Sequence, residues 1–331
     1  MSDTTLPKTA APEAEPAPPP APARARSTQG RRDRRLAYAL ILPAGLLELL
    51  IHIIPMLLGI WIAFIELDQR SLRNWLEAPF VWLDNFARGL DPASAIGSQF
   101  FASVGRTTLY VVLVLGISWV LAMAGAVFLS SSFRGRGLLR TLFLVPYAIP
   151  TYVGTLAWAF MLNQRDGVVN QLLVDTFRLT DTRPFWLIGD LSFVSLVVVS
   201  IWSLWPFAFL MLLAALQNVP SDVYEAAALD GASNWKQFWT ITIPMIRHAN
   251  AALVLILGLW LFNQFNIPYV LFGPQSPEQA LLISPLIYQN SFLLWDFGAG
   301  GAMSFLLLLV LLVVSVFYIR LVLPKGSEDD A

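Results

Sequence analysis

The chain has 331 residues, 56% of them hydrophobic and 13% charged, with a formal net charge of −1. Soluble domains carry about 25% charged residues, so the balance excludes an ordinary soluble domain, and the near-neutral charge offers nothing to nucleic acid or an acidic substrate. The absence of cysteine excludes disulfides and thiolate metal sites, and two histidines, His52 and His248, are too few for a histidine-based metal centre.

Residues 1–35 are rich in Pro, Ala and Arg, and the first 30 hold almost no large apolar side chain. They bury too little surface to offset the entropy of ordering, so a disordered cytoplasmic tail is expected. Arg31, Arg32, Arg34 and Arg35 lead directly into an apolar run. It starts too late and runs too long for a secretory signal, and reads as a retained first span. A bilayer demands roughly 20 apolar residues per helix. Six runs meet that length, at about 36–65, 107–133, 141–164, 191–217, 249–272 and 297–319. An all-α membrane domain over 36–323 is therefore expected, followed by a short cytoplasmic tail over 324–331.

Pro43 and Pro55 punctuate the first span, and Glu48 and His52 share one helical face at i, i+4. Such a pair reads as a proton relay or solute contact, or as a hydrogen-bonded pair packed between helices. The second and fourth spans are uncharged. Ala122, Ala124, Gly125 and Ala126 in the second, and the small residues 298–302 before the sixth, predict close helix approach.

With the N-terminus inside, 14 Lys and Arg fall on the inner side and 7 on the outer, together the chain's 21. The positive-inside rule then places both termini in the cytoplasm. Of the outer connections, 66–103 holds Trp75, Phe80, Trp82 and Phe86, which suit an interface belt or docking surface. The other, 278–296, is semi-apolar with Tyr288, Trp295 and Asp296, and reads as a helix lying on the outer surface.

A polar stretch, 225–244, interrupts the apolar runs within a cytoplasmic loop of about 218–248. Ser221 is placed to cap a short helix, with Asp222 and Glu225 near its positive end. Gly231 supplies the permissive backbone for a sharp exit. Asn234 and Gln237 have capping-box spacing for a second helix, which Pro244 stops or kinks. Further on, Asn263, Gln264 and Asn266 sit among Trp260, Phe262, Phe265 and Tyr269. Amides with aromatic rings suit a sugar pocket, and equally suit amide bonds between helices. At about 100° per residue, Asn263 and Asn266 share a face of an ideal helix and Gln264 is offset. Pro268 predicts a kink, because it cannot donate to the Gln264 carbonyl.

Glu225, Ala226, Ala227, Asp230, Gly231, Phe238, Ile241 and Pro244 together resemble the EAA signature of permeases in binding-protein-dependent ABC importers. Ile243 departs from the family's usual Leu before that proline. Arg140, Thr141, Pro146, Pro150, Trp158, Gly167 and Asn170 are similar to a segment of the carbohydrate-type subfamily, as are Trp202 to Phe207, Leu216 to Pro220, and the small residues before the last span. The resemblance covers roughly 36–323; the Gly-rich run that many members carry after the fifth span is replaced by 272–277.

The resemblance implies the type I importer permease fold, in the bacterial plasma membrane. It implies one of two permease subunits, working with two cytoplasmic ATPase subunits and an extracytoplasmic solute-binding protein. ATP and Mg would be bound by the ATPases; no cofactor and no catalytic residue is expected in this chain, which lacks a phosphate-cradling Gly-Lys-Ser/Thr loop. Coupling to the ATPase would fall to Glu225, Ala226, Ala227, Asp230, Gly231 and Pro244. The substrate path is expected at Asn263, Gln264, Phe265, Asn266 and Tyr269, for a sugar or oligosaccharide. An alternative is a phosphorylated solute such as glycerol phosphate, although no Arg or Lys sits mid-span to pair with it. An ion-coupled secondary transporter is a further alternative, without the internal repeat common there.

Overall fold

The structure is a computed structural model that describes residues 28–322, with side chains from 36 onward. It divides into two units, Met1–Met56 and Leu57–Ala331. In the first, α1 (Thr28–Glu48) begins within the stretch expected to be a disordered tail. Arg and Gln are good helix formers, and the apolar run extends its helix backward through them. The rest of that tail, 1–27, and the expected tail at 324–331 lie outside the described residues. Pro55 has no N–H for the carbonyl four residues back. The helix answers with a π turn, Leu49–Ile53, closed by the Ile54 N–H on the Leu49 carbonyl. Glu48 and His52 meet at 3.2 Å across that turn. The helix resumes as α2 (Ile54–Ile62) and leads into the second unit.

In the second unit a 3-10 turn (Leu72–Glu77) and α3 (Asp84–Leu90) precede α4 (Ala95–Ser130). The Ser94 hydroxyl caps α4 by accepting the Gly97 N–H at 2.9 Å. The helix starts well before the expected 107. Hydropathy marks only its apolar part, and polar residues such as Arg106 continue the same hydrogen-bond ladder. Arg106 donates to the Leu281 carbonyl at 3.1 Å and approaches Glu278 at 3.8 Å.

The expected third span is broken. α5 (Arg136–Ala148) and α6 (Thr151–Met161) meet at 87°. Pro150 has no N–H and pushes Ile149 into extended backbone (φ −80, ψ 128), which ends the helix. A short α7 (Val168–Asn170) follows. α8 (Leu191–Gln217) matches the expected fourth span. Then come α9 (Ser221–Leu229), α10 (Asn234–Gln237) and α11 (Ile243–Met245). The fifth span is also interrupted: α12 (Arg247–Phe262) stops at Asn263 and α13 (Asn266–Phe272) restarts after Phe265. α14 (Ile283–Tyr288) and α15 (Phe297–Val322) complete the chain. Among the described residues five helices are long and apolar enough to cross a membrane, or six if the bent pair counts as one span. The extended pairing among them is one isolated bridge between Ile65 and Phe80.

Lipid is as apolar as leucine, so close packing rather than exclusion of water holds these helices together. The small residues serve that end. Ala122 and Ala126 are fully buried, and a Cβ on Gly125 would stand 3.2 Å from Phe143 and 3.3 Å from Phe209. Between α4 and α8 the buried Tyr110 hydroxyl donates to Ser200 Oγ at 2.7 Å. Between α4 and α12 the Trp119 indole donates to Asn250 Oδ1 at 2.6 Å. At the start of α15, a Cβ on Gly298 would stand 2.8 Å from the Ile65 carbonyl oxygen.

Candidate coupling loop and substrate path

The 218–248 loop is built from local backbone chemistry. Its first helix, α9, ends in a Schellman motif. The Gly231 N–H donates to the Ala228 carbonyl at 3.0 Å, and the Ala232 N–H to the Ala227 carbonyl at 2.9 Å. Gly231 has φ +77, the left-handed backbone this motif needs. The caps differ from the sequence expectation. Pro220 rather than Ser221 takes the first cap, with its fixed φ. Ser233 rather than Asn234 caps α10, accepting the Lys236 N–H at 3.4 Å. The Gln237 amide reaches back to the Ala232 carbonyl at 2.9 Å, so it ties the turn rather than closing a capping box. Pro244 lies within α11, after a π turn over Phe238–Thr242.

The loop is braced on the membrane helices. Tyr224 and Thr242 hydroxyls meet at 3.0 Å, and both line a cavity of about 300 Å³ against Val127 and Ser130 of α4 and Leu216 of α8. Its other face is open. Glu225, Ala226, Asp230 and Pro244 are exposed and Ala227 is half-buried. Leu229 is 90% exposed and Trp235 71%, the most exposed of several large apolar side chains on this loop, with Trp239, Met245 and Val223 exposed beside them. Exposed apolar groups rimmed by polar ones mark protein contacts. Sequence reasoning missed Leu229 and Trp235 because hydrophobicity in a membrane chain attracts no notice; their position inside the polar stretch was the available signal.

Both broken spans meet at one place. A cavity of about 180 Å³ is lined by Tyr147 and Ile149 at the α5–α6 break, Ser200 and Ser203 of α8, and Trp260 and Gln264 at the α12–α13 break. Irregular backbone at membrane depth is tolerated only against protein or a water-filled cavity, and here both breaks border a cavity with a few polar groups in a mostly apolar wall. The Ser pair went unnoticed in an uncharged span, although i, i+3 spacing puts both on one face. The amide cluster is arranged differently from an ideal helix, because the helix ends among the amides. Asn263 turns its amide onto the Leu259 carbonyl at 2.9 Å, as a cap for the end of α12. Gln264 lines the cavity, and its Oε1 accepts the Ile267 N–H at 3.4 Å. Asn266 opens α13 and is exposed. Phe265 and Tyr269 stack at 5.1 Å. Trp158 and Trp202 pack edge to face at 6.0 Å.

Among the described residues, no group of three or more His, Cys, Asp or Glu could hold a metal ion. The family model for binding-protein-dependent transport system inner membrane components matches residues 113–325. The inner membrane ABC transporter permease protein YcjO of Escherichia coli (strain K12) is 33% identical over 305 residues, 92% of this chain and 99% of that protein. The trehalose/maltose transport system permease protein MalF of Thermococcus litoralis is 31% identical over 291 residues, 87% of this chain and 94% of its own length. Among solved structures, a bacterial ABC transporter involved in the import of the acidic polysaccharide alginate has a similar fold. It superposes with a TM-score of 0.76 at 22% identity, covering 90% of this chain and 99% of that one.

Proposed function

From the premise that this chain belongs to the binding-protein-dependent transport system inner membrane components, we propose that it is the permease subunit of an ATP-driven sugar importer. As a multi-pass plasma-membrane protein it forms, with a second permease, the path for a sugar or oligosaccharide. The observation that carries this reading is the cavity where the two broken spans meet. Its Ser200, Ser203 and Gln264 suit sugar hydroxyls, and Tyr147, Phe207 and Trp260 offer aromatic rings to the apolar face of the ring. Phe265, Asn266 and Tyr269 extend the path toward the second permease, while Asn263 caps the helix beside it. The names of the relatives, which speak of trehalose and maltose, favour a sugar and lend no support to a phosphorylated solute.

Both termini and the 218–248 loop face the cytoplasm in this reading. The loop couples transport to two ATPase subunits through Glu225, Ala226, Ala227, Asp230, Gly231 and Pro244, with Leu229 and Trp235 entering an apolar groove of the ATPase. ATP and Mg are bound and ATP is hydrolysed there, not in this chain. An extracytoplasmic binding protein delivers the solute at the opposite end. The test is copurification with these partners and binding-protein-dependent ATP hydrolysis and uptake over a panel of sugars. Stimulation by one or more sugars is expected; stimulation by none of them, or uptake without the ATPases, would overturn the reading.

A further inference from the structure

A run of aromatic rings leads away from the α12–α13 break. Phe265 contacts Tyr288 at 5.2 Å between ring centroids, Tyr288 contacts Phe292 at 5.3 Å, Phe292 contacts Phe297 at 5.9 Å, and Phe297 contacts Trp295 at 6.1 Å. The run starts beside Gln264, in the wall of the inner cavity, and ends at Trp295, in the wall of another. That second cavity measures about 360 Å³ and is bordered by Glu66, Gln69, Arg70 and Arg88. Arg88 pairs with Asp296, and the Asp68 carboxylate is held by the Ser71 and Arg70 N–H groups at 3.0 and 2.8 Å. Among the described residues, the side chains of Glu66, Gln69 and Arg70 make no such bond, and remain available to something in the cavity.

Trp295 has φ +58, in the left-handed region that favours glycine. A glycine would sit there with less strain, so the position is held by an indole against its backbone preference. Phe292 is 58% exposed and Trp295 40%, so both present ring surface rather than hiding it in a core.

We propose that the outer cavity, the aromatic run and the inner cavity form one track along which a linear saccharide moves, with Trp295 as its entry platform. The proposal rests on the sugar-import reading above. Pyranose rings are amphiphilic: hydroxyls point outward around the edge, and axial C–H groups make one or both faces apolar. The negative face of an aromatic ring attracts such C–H groups. The rings touch at 5.2 to 6.1 Å between centroids, tilted or edge to face at 32° to 88°, so the exposed surfaces of Phe292 and Trp295 are those a sugar meets and the other rings hold them in place. The unpaired amide, carboxylate and guanidinium of the outer cavity match hydroxyls at the entrance. A lipid-facing aromatic belt would need no polar cavity at its end.

The track reads pyranose faces rather than one sugar, so maltohexaose carrying a diazirine serves as the probe for the assembled transporter in liposomes. Photolabelling within 288–297 is expected, with competition by unmodified maltohexaose. Phe292→Leu and Trp295→Leu keep apolar bulk but remove the ring, and should weaken that labelling several-fold; Phe292→Tyr should restore it. No competed label in this segment of the wild-type assembly, or equal label in the Leu variants, overturns the track. The wild-type result stands even where a variant fails to assemble. Failure of the sugar-import reading is separate: it would show as the absence of binding-protein-stimulated uptake for every sugar in the panel, whatever the labelling.

Discussion

Gly231 shows how one residue fixes the shape of the 218–248 loop. A Cβ there has open space around it, so the constraint is φ +77 alone. Left-handed backbone costs an L residue about 1–2 kcal/mol, least for Asn and Asp. Gly231→Val should therefore lower copurification of the ATPase and solute uptake together, with Gly231→Asn far milder. Equal behaviour of the two would remove turn geometry as the cause. Glu225 lies in the middle of α9, beyond its first turn, and is exposed; Glu225→Lys reverses that surface charge, and should weaken ATPase docking at low salt more than at high salt. Asp68 offers a pH test. Hydrogen bonds from the Ser71 and Arg70 N–H groups hold its carboxyl below 3.8, its ordinary value. A lowered carboxyl stabilises its turn fully above the ordinary value and loses that effect as pH falls through the folded one. The protection of the Arg70 and Ser71 amides, their exchange rates set against the intrinsic rates at the same pH, should fall on acidification through that range, and be low at every pH in Asp68→Ala. The residues of the 218–248 loop were legible because capping and turn chemistry is local. The caps shifted by one residue because Pro220 and Ser233 compete with their neighbours for the same role, and the sequence alone does not rank them.

At the scale of elements, the breaks carry more of the proposed function than the spans. The fourth span was legible to its ends, since an uninterrupted apolar run bounded by Asp190 and Asn218 leaves one solution. The third and fifth were legible as apolar runs but not as broken helices. Hydropathy reports the medium around a segment, whereas Pro150 and Pro268 act on its hydrogen bonds. The face of the amides followed from that error, because an ideal helix through 263–266 does not exist. The structure distinguishes the three amides in a way that can be measured. Gln264→Leu removes a polar group from the inner cavity wall, and a lost hydrogen bond to substrate of about 1.5 kcal/mol would cost about tenfold in affinity. Asn263→Leu instead removes the side-chain amide from the Leu259 carbonyl, which keeps the backbone N–H of residue 263 at 3.2 Å, and should lower the thermal midpoint of the assembly slightly while sugar preference is kept. Uptake assays at matched membrane abundance, read beside melting curves, separate the two. A change of sugar preference in Asn263→Leu with no loss of stability would reverse their roles.

For the whole molecule, orientation is the property that the sequence argued from charge, and reporter fusions test it. A reporter at residue 175 should read external and one at 233 internal; the opposite pattern would invert every assignment of inner and outer. Part of the charge assigned to the inner side has a second task. Arg136 donates to the Ser130 carbonyl at 3.2 Å and Arg140 to the Leu129 carbonyl at 2.8 Å, so both satisfy the open C-terminal end of α4. That helix has a consequence of its own. At about 1.5 Å per residue, its 36 residues reach about 54 Å, well beyond the roughly 30 Å of a bilayer core. Its C-terminal end borders the cavity beneath Tyr224 and Thr242, and its opposite half is fastened through Arg106 to the Leu281 carbonyl, in the connection that carries Tyr288 and Trp295. In the orientation proposed above, α4 would act as a lever whose two arms stand in different solvents. Pivoting by about 10° around its midpoint, a rigid rod of this length moves each tip by about 5 Å. A solute-laden partner pressing on the outer arm would need no relay of side chains to be felt at the cytoplasmic loop.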